Sequence, residues 1–427
     1  MTRWMIVLAT VCVLWTATAR GQETKPSASP YARWKNGPST DPNFFAVGVW
    51  GQSVKNAKRY REAGVNLYVG ADPKREALKA LREQAIGAIV GAFWRPEVME
   101  LSDDPAIVGW ILKDEPDISQ PVARFWKNDA NLMRSAWPGV PEVERIIKDG
   151  KENGPLLPPR FITEEYARVT ASDPTRPVLL NCSFGVATSN YNARQWRNRH
   201  DEDYPEYFKG ADIGSQDFYP MISQGKNYEG KLWYVAKAVL NLRKYVGPDK
   251  VVWNIVEGMK PRAKLTPHTM RAGVWMSLVH GAQGIVYFVH QMGKDKDTKF
   301  IEASVFEDPE MAKAFTETNL RIAAFAPVLN SPTLKDGADV ASSEPASKEL
   351  ADLGLAPIAA MAKRLDGATY VFAVRMEDIA SKGSFTVKGL TGRAVAEVLG
   401  EDRKIDVTDG KFSDDFKGYE VHLYKIK

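Results

Sequence analysis

The sequence predicts an α/β protein: a (β/α)8 (TIM) barrel over residues 43–332, then a small all-β sandwich over residues 333–427. Three observations carry that reading. Short apolar runs alternate eight times with stretches of helical spacing, the count and order of a parallel barrel. The fourth run, Ile107–Lys113, is apolar or Gly at every position but the last, as a strand buried on both faces requires. From Ser331 the helical spacing gives way to short alternating strands. A doubly wound open sheet is the competing topology. It rarely needs eight repeats, and no Gly-rich dinucleotide fingerprint follows the first strand.

Taken in order, the first strand is Phe44–Trp50. Val54–Ala63 has helical spacing, and Gly64 is a fitting stop. A second strand, Val65–Gly70, and a charged amphipathic helix, Lys74–Gln84, follow. Ala88–Trp94 is the third strand and Ile107–Lys113 the fourth, stopped by Pro116, which cannot donate to a ladder. A helix over Ile162–Ala171 leads through the turn Asp173-Pro174-Thr175-Arg176-Pro177 to the fifth strand, Val178–Cys182. The helix Tyr204–Lys209 precedes the sixth strand, Ile213–Tyr219. The helix Leu232–Tyr245, closed by Gly247-Pro248, precedes the seventh, Val251–Val256. Thr269–His280 is a helix, Ile285–Val289 the eighth strand and Pro309–Leu329 a last long helix. Five strands follow: Ala359–Leu365, Thr369–Arg375, Ser384–Lys388, Ala394–Leu399 and Tyr419–Lys425. Asp366-Gly367 and Asp409-Gly410 are hairpin signals.

Composition narrows the function classes. The chain has 427 residues, 44% hydrophobic and 26% charged, which is ordinary globular content. Lys+Arg number 57 against Asp+Glu 53, so charge offers no case for nucleic acid as partner. Residues 1–21 read as a signal peptide: basic Arg3, an apolar run from Trp4 to Trp15, and the small-residue end Ala17-Thr18-Ala19. The run is short for a membrane anchor, so the chain is expected to be exported, periplasmic or secreted, with no span after cleavage. Residues 22–42 are rich in Ser, Pro, Lys and Thr and read as a linker or arm. The mature chain keeps one cysteine, Cys182, and a core this large does not need disulfides.

The chemistry gathers at strand ends. The fourth strand opens into Asp114, Glu115 and Pro116, and the seventh into Glu257, where Gly258 lets the chain leave without a side-chain clash. Acids at the mouth of a buried strand are costly unless they meet a ligand or partners. Paired carboxyls suit glycosidic cleavage: one protonated to expel the leaving group, the other ionised to attack the anomeric carbon. The sixth strand ends in Asp217 and Tyr219. Asn181, Trp50, Trp94, Arg95 and His290 lie at other strand ends and are further candidates for substrate contact, although most aromatics in such places are rim packing.

Two long loops are expected to shape the pocket. Residues 118–161 contain Phe125, Trp126 and Trp137. Residues 183–210 contain Tyr191, Arg194, Trp196, Arg197, Arg199 and His200. Aromatic faces and Arg forks make an acidic glycan imaginable, with plain loop packing the favoured reading. Other signals fail. The run 225–231 is close to a phosphate loop, but Leu232 replaces the Ser or Thr that would hold magnesium. Asp201-Glu202-Asp203 lacks spaced calcium ligands. Asn181-Cys182-Ser183 fits a glycosylation sequon but lies on an expected buried strand. No metal-ligand motif or nucleophile elbow is present.

In Lys113-Asp114-Glu115-Pro116 and in the two strand-end acids, the chain resembles clan A glycoside hydrolases. Their fourth strand ends in Asn-Glu-Pro or a close variant. The resemblance covers roughly residues 44–330 and implies a retaining enzyme without cofactor. Glu115 is then the acid/base, Glu257 the nucleophile, and Tyr219 a hydrogen-bond donor to Glu257. Asp114 stands where Asn is usual. An ionised Asp only accepts hydrogen bonds, so it departs from the pattern. The expected partner is a poly- or oligosaccharide. The alternatives are a barrel that binds glycan without cleaving it and an inverting hydrolase with more widely spaced carboxyls.

Overall fold

The computed structural model describes residues 29–190, 200–222, 227–293 and 299–427. The signal-peptide segment, the start of the linker, and Tyr191, Arg194, Trp196, Arg197 and Arg199 lie outside the described residues. Eight parallel strands form the first sheet: β1 Ala46–Trp50, β2 Leu67–Ala71, β3 Gly87–Gly91, β4 Ile107–Ile111, β5 Val178–Cys182, β6 Ile213–Gln216, β7 and β8 Gly284–Phe288. β7 comes in two pieces, Val251–Val252 and Asn254–Glu257, broken at Trp253. Each strand pairs with the next in sequence. The ring closes where β1 meets β8, with Val47 opposite Ile285, and where the two halves of β7 pair with β6 on one side and β8 on the other.

The apolar runs are continuous because both faces of every strand are covered. Leu67, Val69, Ile89, Ile111, Leu179, Ile213, Val251, Ile255 and Val286 fill the interior. Their neighbours Tyr68, Val90, Trp110, Leu180, Val252, Val256 and Tyr287 meet the helices outside. The helices are α1 Ala57–Glu62, α2 Arg75–Glu83, then α3 Val122–Phe125, α4 Ala130–Ala136, α5 Pro141–Asp149 and α6 Pro159–Ser172 between β4 and β5. α7 Asp203–Lys209, α8 Tyr234–Val246, α9 Pro267–Val279, α10 Pro309–Ala324 and α11 Ala326–Asn330 follow. A 3-10 turn, Pro96–Leu101, stands where a third helix would join β3 to β4. The loop expected over 118–161 is largely helical. Its Phe125, Trp126 and Trp137 are buried, and the two indoles donate to the Pro155 and Leu156 carbonyls at 3.0 and 2.9 Å. They are packing groups, not sugar platforms.

The expected linker needs correction over its described part. Tyr31 and Trp34 are buried in the barrel's interior cluster, at the end where the strands begin. Tyr31 accepts from Trp253 Nε1 at 2.9 Å and donates to the Gln283 carbonyl at 3.2 Å. The Trp253 ring reaches across to Gly284, where an added Cβ would fall 2.5 Å from Cδ1. Polar composition suggested a tether here. Two aromatics spaced three residues apart make it a plug.

The C-terminal domain holds β9 Ala338–Ser342, a short helix α12 Lys348–Asp352, then β10 Ile358–Leu365, β11 Ala368–Arg375, β12 Ser381–Val387, β13 Arg393–Val398, β14 Arg403–Thr408, β15 Lys411–Phe416 and β16 Val421–Ile426. They form one antiparallel sheet in the order β9-β12-β15-β14-β13-β16-β11-β10, folded over a core that includes Val371, Phe385, Phe412 and Tyr424. Asp366-Gly367 and Asp409-Gly410 are two-residue turns with positive φ at both positions, as their composition foretold. β9, β14 and β15 were not expected: they carry few large apolar residues, with Ile405 and Val407 alone in β14 and Asp414 between Phe412 and Phe416 in β15. The domain is joined to the barrel through Trp275 of α9, which stacks on Phe372 of β11 with ring centroids 5.6 Å apart.

Tyr31→Phe keeps the ring and removes the acceptor of the buried Trp253 N–H. The expected loss is about 1–3 kcal/mol of unfolding free energy, read by urea denaturation. An unchanged midpoint would mean that the plug does not secure the barrel floor.

Candidate active site

The ladder between β4 and β5 carries one irregularity. Leu112 N donates to Leu179 O at 3.0 Å, and the next bond runs from Glu115 N to Asn181 O at 2.9 Å. Three residues of one chain thus match two of the other, the extra-residue arrangement of a bulge, which re-aims side chains at a strand end. Glu115 absorbs it with φ of +46°. A left-handed non-Gly residue costs about 1–2 kcal/mol, so its surroundings must hold it there. Gln120 does so by donating to the Glu115 carbonyl at 2.8 Å. Asp117, two residues on, accepts from Ser183 N at 2.9 Å, Ser183 Oγ at 2.8 Å and Tyr204 Oη at 3.0 Å, pinning the turn after β4 to the one after β5. Burial pushes the Asp117 carboxyl up, and these donors partly offset it.

Asn181, at the end of β5, spends its whole amide on the site. Nδ2 donates to Asp114 Oδ1 at 2.9 Å and to Asp217 Oδ1 at 3.3 Å, while Oδ1 accepts from Ser215 Oγ at 2.8 Å. Tyr219 Oη donates to Asp217 Oδ2 at 3.0 Å. Burial, then the charge of Asp114, push Asp217 up to about 7. Lys113 bonds the Asp114 carbonyl, lies 5.2 Å from the Phe125 ring centre, and is held below the usual ammonium range by burial.

Glu257 ends β7 beside Phe288 of β8, 4% exposed. Its Oε1 accepts from Met221 N at 2.8 Å, and Oε2 is buried with no hydrogen-bond partner among the described residues. Burial pushes its carboxyl up to about 8 against the backbone donors of Met221 and Ile222. Met221 lies two residues beyond Tyr219, so the same turn after β6 holds both Glu257 and the Asp114–Asn181–Asp217 chain. Glu115 is near enough to act electrostatically on Tyr219.

The other expected contacts divide. Tyr219 donates to Asp217, not to Glu257 as the resemblance implied: Asp217 still pairs with Ile255 of β7, and it is Met221, in the 3-10 turn that follows, whose N–H meets Glu257. His290 and the half-buried Trp50 belong to a second group on β1 and β8. There His290 Nε2 lies 2.9 Å from Gln52 Nε2, and Gln52 Oε1 accepts from Tyr60 at 2.8 Å. Burial holds His290 below the usual imidazole range. Phe288 bridges the groups, 5.0 Å from the Tyr219 ring and 5.0 Å from His290. Trp94 packs beside Phe93, Phe125 and Phe161, and its backbone N–H donates to Glu165 Oε2 at 3.1 Å. Arg95 pairs with Glu97 on the surface at 3.4 Å. Neither makes a hydrogen bond to the acids of β4–β7. Sequence reading passed over Asp117, Gln120 and Ser215. Asp117 was visible as a third acid in Asp114–Asp117, while Ser215 and Gln120 carried no signal. Among the described residues no group of His, Cys, Asp and Glu has metal-binding geometry, and no helix is long and apolar enough to cross a membrane.

No protein-family profile matches the chain, and no curated protein does. Solved structures do. One is Gan42B, a GH42 β-galactosidase from G. stearothermophilus, in a catalytic mutant: 9% identity, TM-score 0.52, covering 92% of this chain and 99% of that one. Another is an Anoxybacillus α-amylase: 12% identity, TM-score 0.50, covering 91% of this chain and 99% of that one. The chain spans 60% of the length of a β-galactosidase from Marinomonas ef1, at 13% identity and a TM-score of 0.43. The likeness is one of fold. The barrel with its C-terminal β-domain is the architecture of these TIM-barrel glycoside hydrolases.

The raised Glu257 carboxyl sets a pH dependence. Between its unfolded value of about 4.3 and about 8, the folded state keeps a proton that the unfolded chain has released. Stability therefore falls as pH rises through that window. Glu257→Gln should lose part of this fall, so its Tm should exceed that of the wild type increasingly from pH 5 to pH 8.5. Parallel Tm curves for the two proteins would contradict the buried, protonated state.

Proposed function

We propose that the protein is a glycoside hydrolase that cleaves a glycan by retaining double displacement, with Glu115 and Glu257 as its carboxyl pair. The observation that carries this is the linkage of the β4–β7 strand ends: a strained, bulged Glu115 and a buried, half-satisfied Glu257 are both fastened to the Asn181–Asp217–Tyr219 region. Buried acids with unused acceptor atoms are costly, and strain at a strand end is the mark of a site selected for chemistry.

In the first step Glu115 gives its proton to the glycosidic oxygen, and the Glu257 carboxylate bonds the anomeric carbon as the aglycone leaves. In the second, Glu115 takes a proton from water, whose oxygen displaces Glu257. Asp217 and Asp114 can accept from sugar hydroxyls. The basic, apolar start of the sequence supports export, which would put the enzyme among extracellular or periplasmic glycans. One observation favours the reversed division of roles. Burial pushes the Glu257 carboxyl up to about 8, which suits a proton donor better than a nucleophile.

A screen of neutral, sulfated and uronic-acid glycans for reducing-end release would identify a substrate. On it, Glu115→Ala and Glu257→Ala should each lower kcat by about 10²–10⁴-fold with folding intact. Normal turnover in either variant would refute the assignment. Azide decides the roles: rescue of Glu257→Ala should yield a glycosyl azide of inverted configuration if Glu257 is the nucleophile, and of retained configuration if it is the acid/base. The same division appears in the wild-type profile, where kcat/KM rises through pH about 8 for a Glu257 nucleophile and falls there for a Glu257 acid.

A further inference from the structure

At the opposite end of the barrel, where the strands begin, a cleft of about 450 Å³ runs between the barrel floor and the C-terminal domain. That is within the range of about 300–1,000 Å³ usual for small-ligand sites. Its walls carry Arg243 of α8, Lys250 just before β7 and Lys363 of β10. Asp249, exposed, is the one acidic lining residue.

Each cation is fastened to backbone oxygen. Lys363, 5% exposed, donates to Leu329 O at 2.8 Å and Ser331 O at 2.5 Å. Arg243 donates to Lys250 O at 3.0 Å, Gly281 O at 2.8 Å and Gln283 Oε1 at 2.6 Å. Lys250 donates to Phe208 O at 2.6 Å and Lys209 O at 3.5 Å. Leu329 O, Ser331 O, Phe208 O, Lys209 O and Gly281 O belong to the ends of α11, α7 and α9 or lie just past them, while Lys250 O and Gln283 Oε1 directly precede β7 and β8. That arrangement anchors the side chains but leaves the charge of Lys363 and Arg243 uncancelled, while Asp212 partly offsets that of Lys250. A helix end carries roughly half a negative charge, and carbonyls are neutral groups. Among the described residues none of the three forms a salt bridge. Burial alone pulls Lys363 down to about 8 and lowers Arg243. Lys363 uses two of its three N–H groups and Arg243 three of its five, so donors remain.

We propose that this cleft is a binding site for a small oxyanion, either free sulfate or phosphate or the charged group of an anionic sugar. Lys363 and Arg243, buried away from water with no acid acting on them, gain most from a ligand that brings the missing charge. The site is independent of Glu115 and Glu257 and joins the two domains.

The test is thermal melting and calorimetric titration of the full chain with sodium sulfate, with phosphate and with glucose 6-sulfate, against sodium chloride of equal ionic strength. A saturable rise in Tm above the chloride control is expected. Lys363→Met should weaken binding about tenfold or more, the scale of one lost charged hydrogen bond. Lys250→Met gives a second reading if that variant folds poorly. Glu257→Gln should respond like the wild type. A response to the inorganic anions assigns a free ion, and a response to the sugar sulfate alone assigns an anionic sugar. Either upholds the site. No saturable rise beyond chloride, or an equal rise in both lysine variants, would overturn it.

Discussion

The amide of Asn181 holds the candidate site together. One planar group gives both of its hydrogens to carboxylates from neighbouring strand ends and takes a hydroxyl from a third residue. Asp114 and Asp217 are like charges brought to a common donor, and that is possible only because the amide bridges them. Around it, the backbone of Glu115 is drawn to the Asn181 carbonyl, and Tyr219 is drawn to Asp217. The strand ends of β4, β5 and β6 are thereby locked in register at the point where the parallel ladder can no longer hold them.

Glu257 stands on the far side of that lock under a different constraint. It is buried beside Val256 and Phe288, and among the described residues its second oxygen meets no donor. A carboxyl in that position resists ionisation, while Asp217 next door is restrained by tyrosine and asparagine donors. Two acids within a few residues of one turn are thus both pushed upward by burial, one offset by side-chain donors and the other by backbone alone. Acids raised by burial are what proton-transfer chemistry uses, and holding them costs stability.

The two ends of the barrel divide the charges. Acids collect where the strands finish; cations anchored on helix C-termini line the floor where they begin. Both follow from the direction of a parallel barrel. All strands and all helices point their like ends the same way, so dipole ends and loop chemistry segregate. The N-terminal arm adds to the floor by filling it with Tyr31 and Trp34.

What the sequence by itself determined was periodic or local. Runs apolar at every position marked strands covered on both faces, Asp-Gly pairs marked two hairpins, and Glu115 and Glu257 stood out because acids abruptly follow apolar runs. Those features depend only on near neighbours in the chain. The tertiary structure alone decided which donor each acid meets. Tyr219 turned to Asp217, Arg95 paired with Glu97 at the surface, the Ser- and Pro-rich arm became a plug, and the loop aromatics Trp126 and Trp137 were buried. Each outcome is set by packing among segments tens to hundreds of residues apart, where geometry and burial, not composition, select the partner.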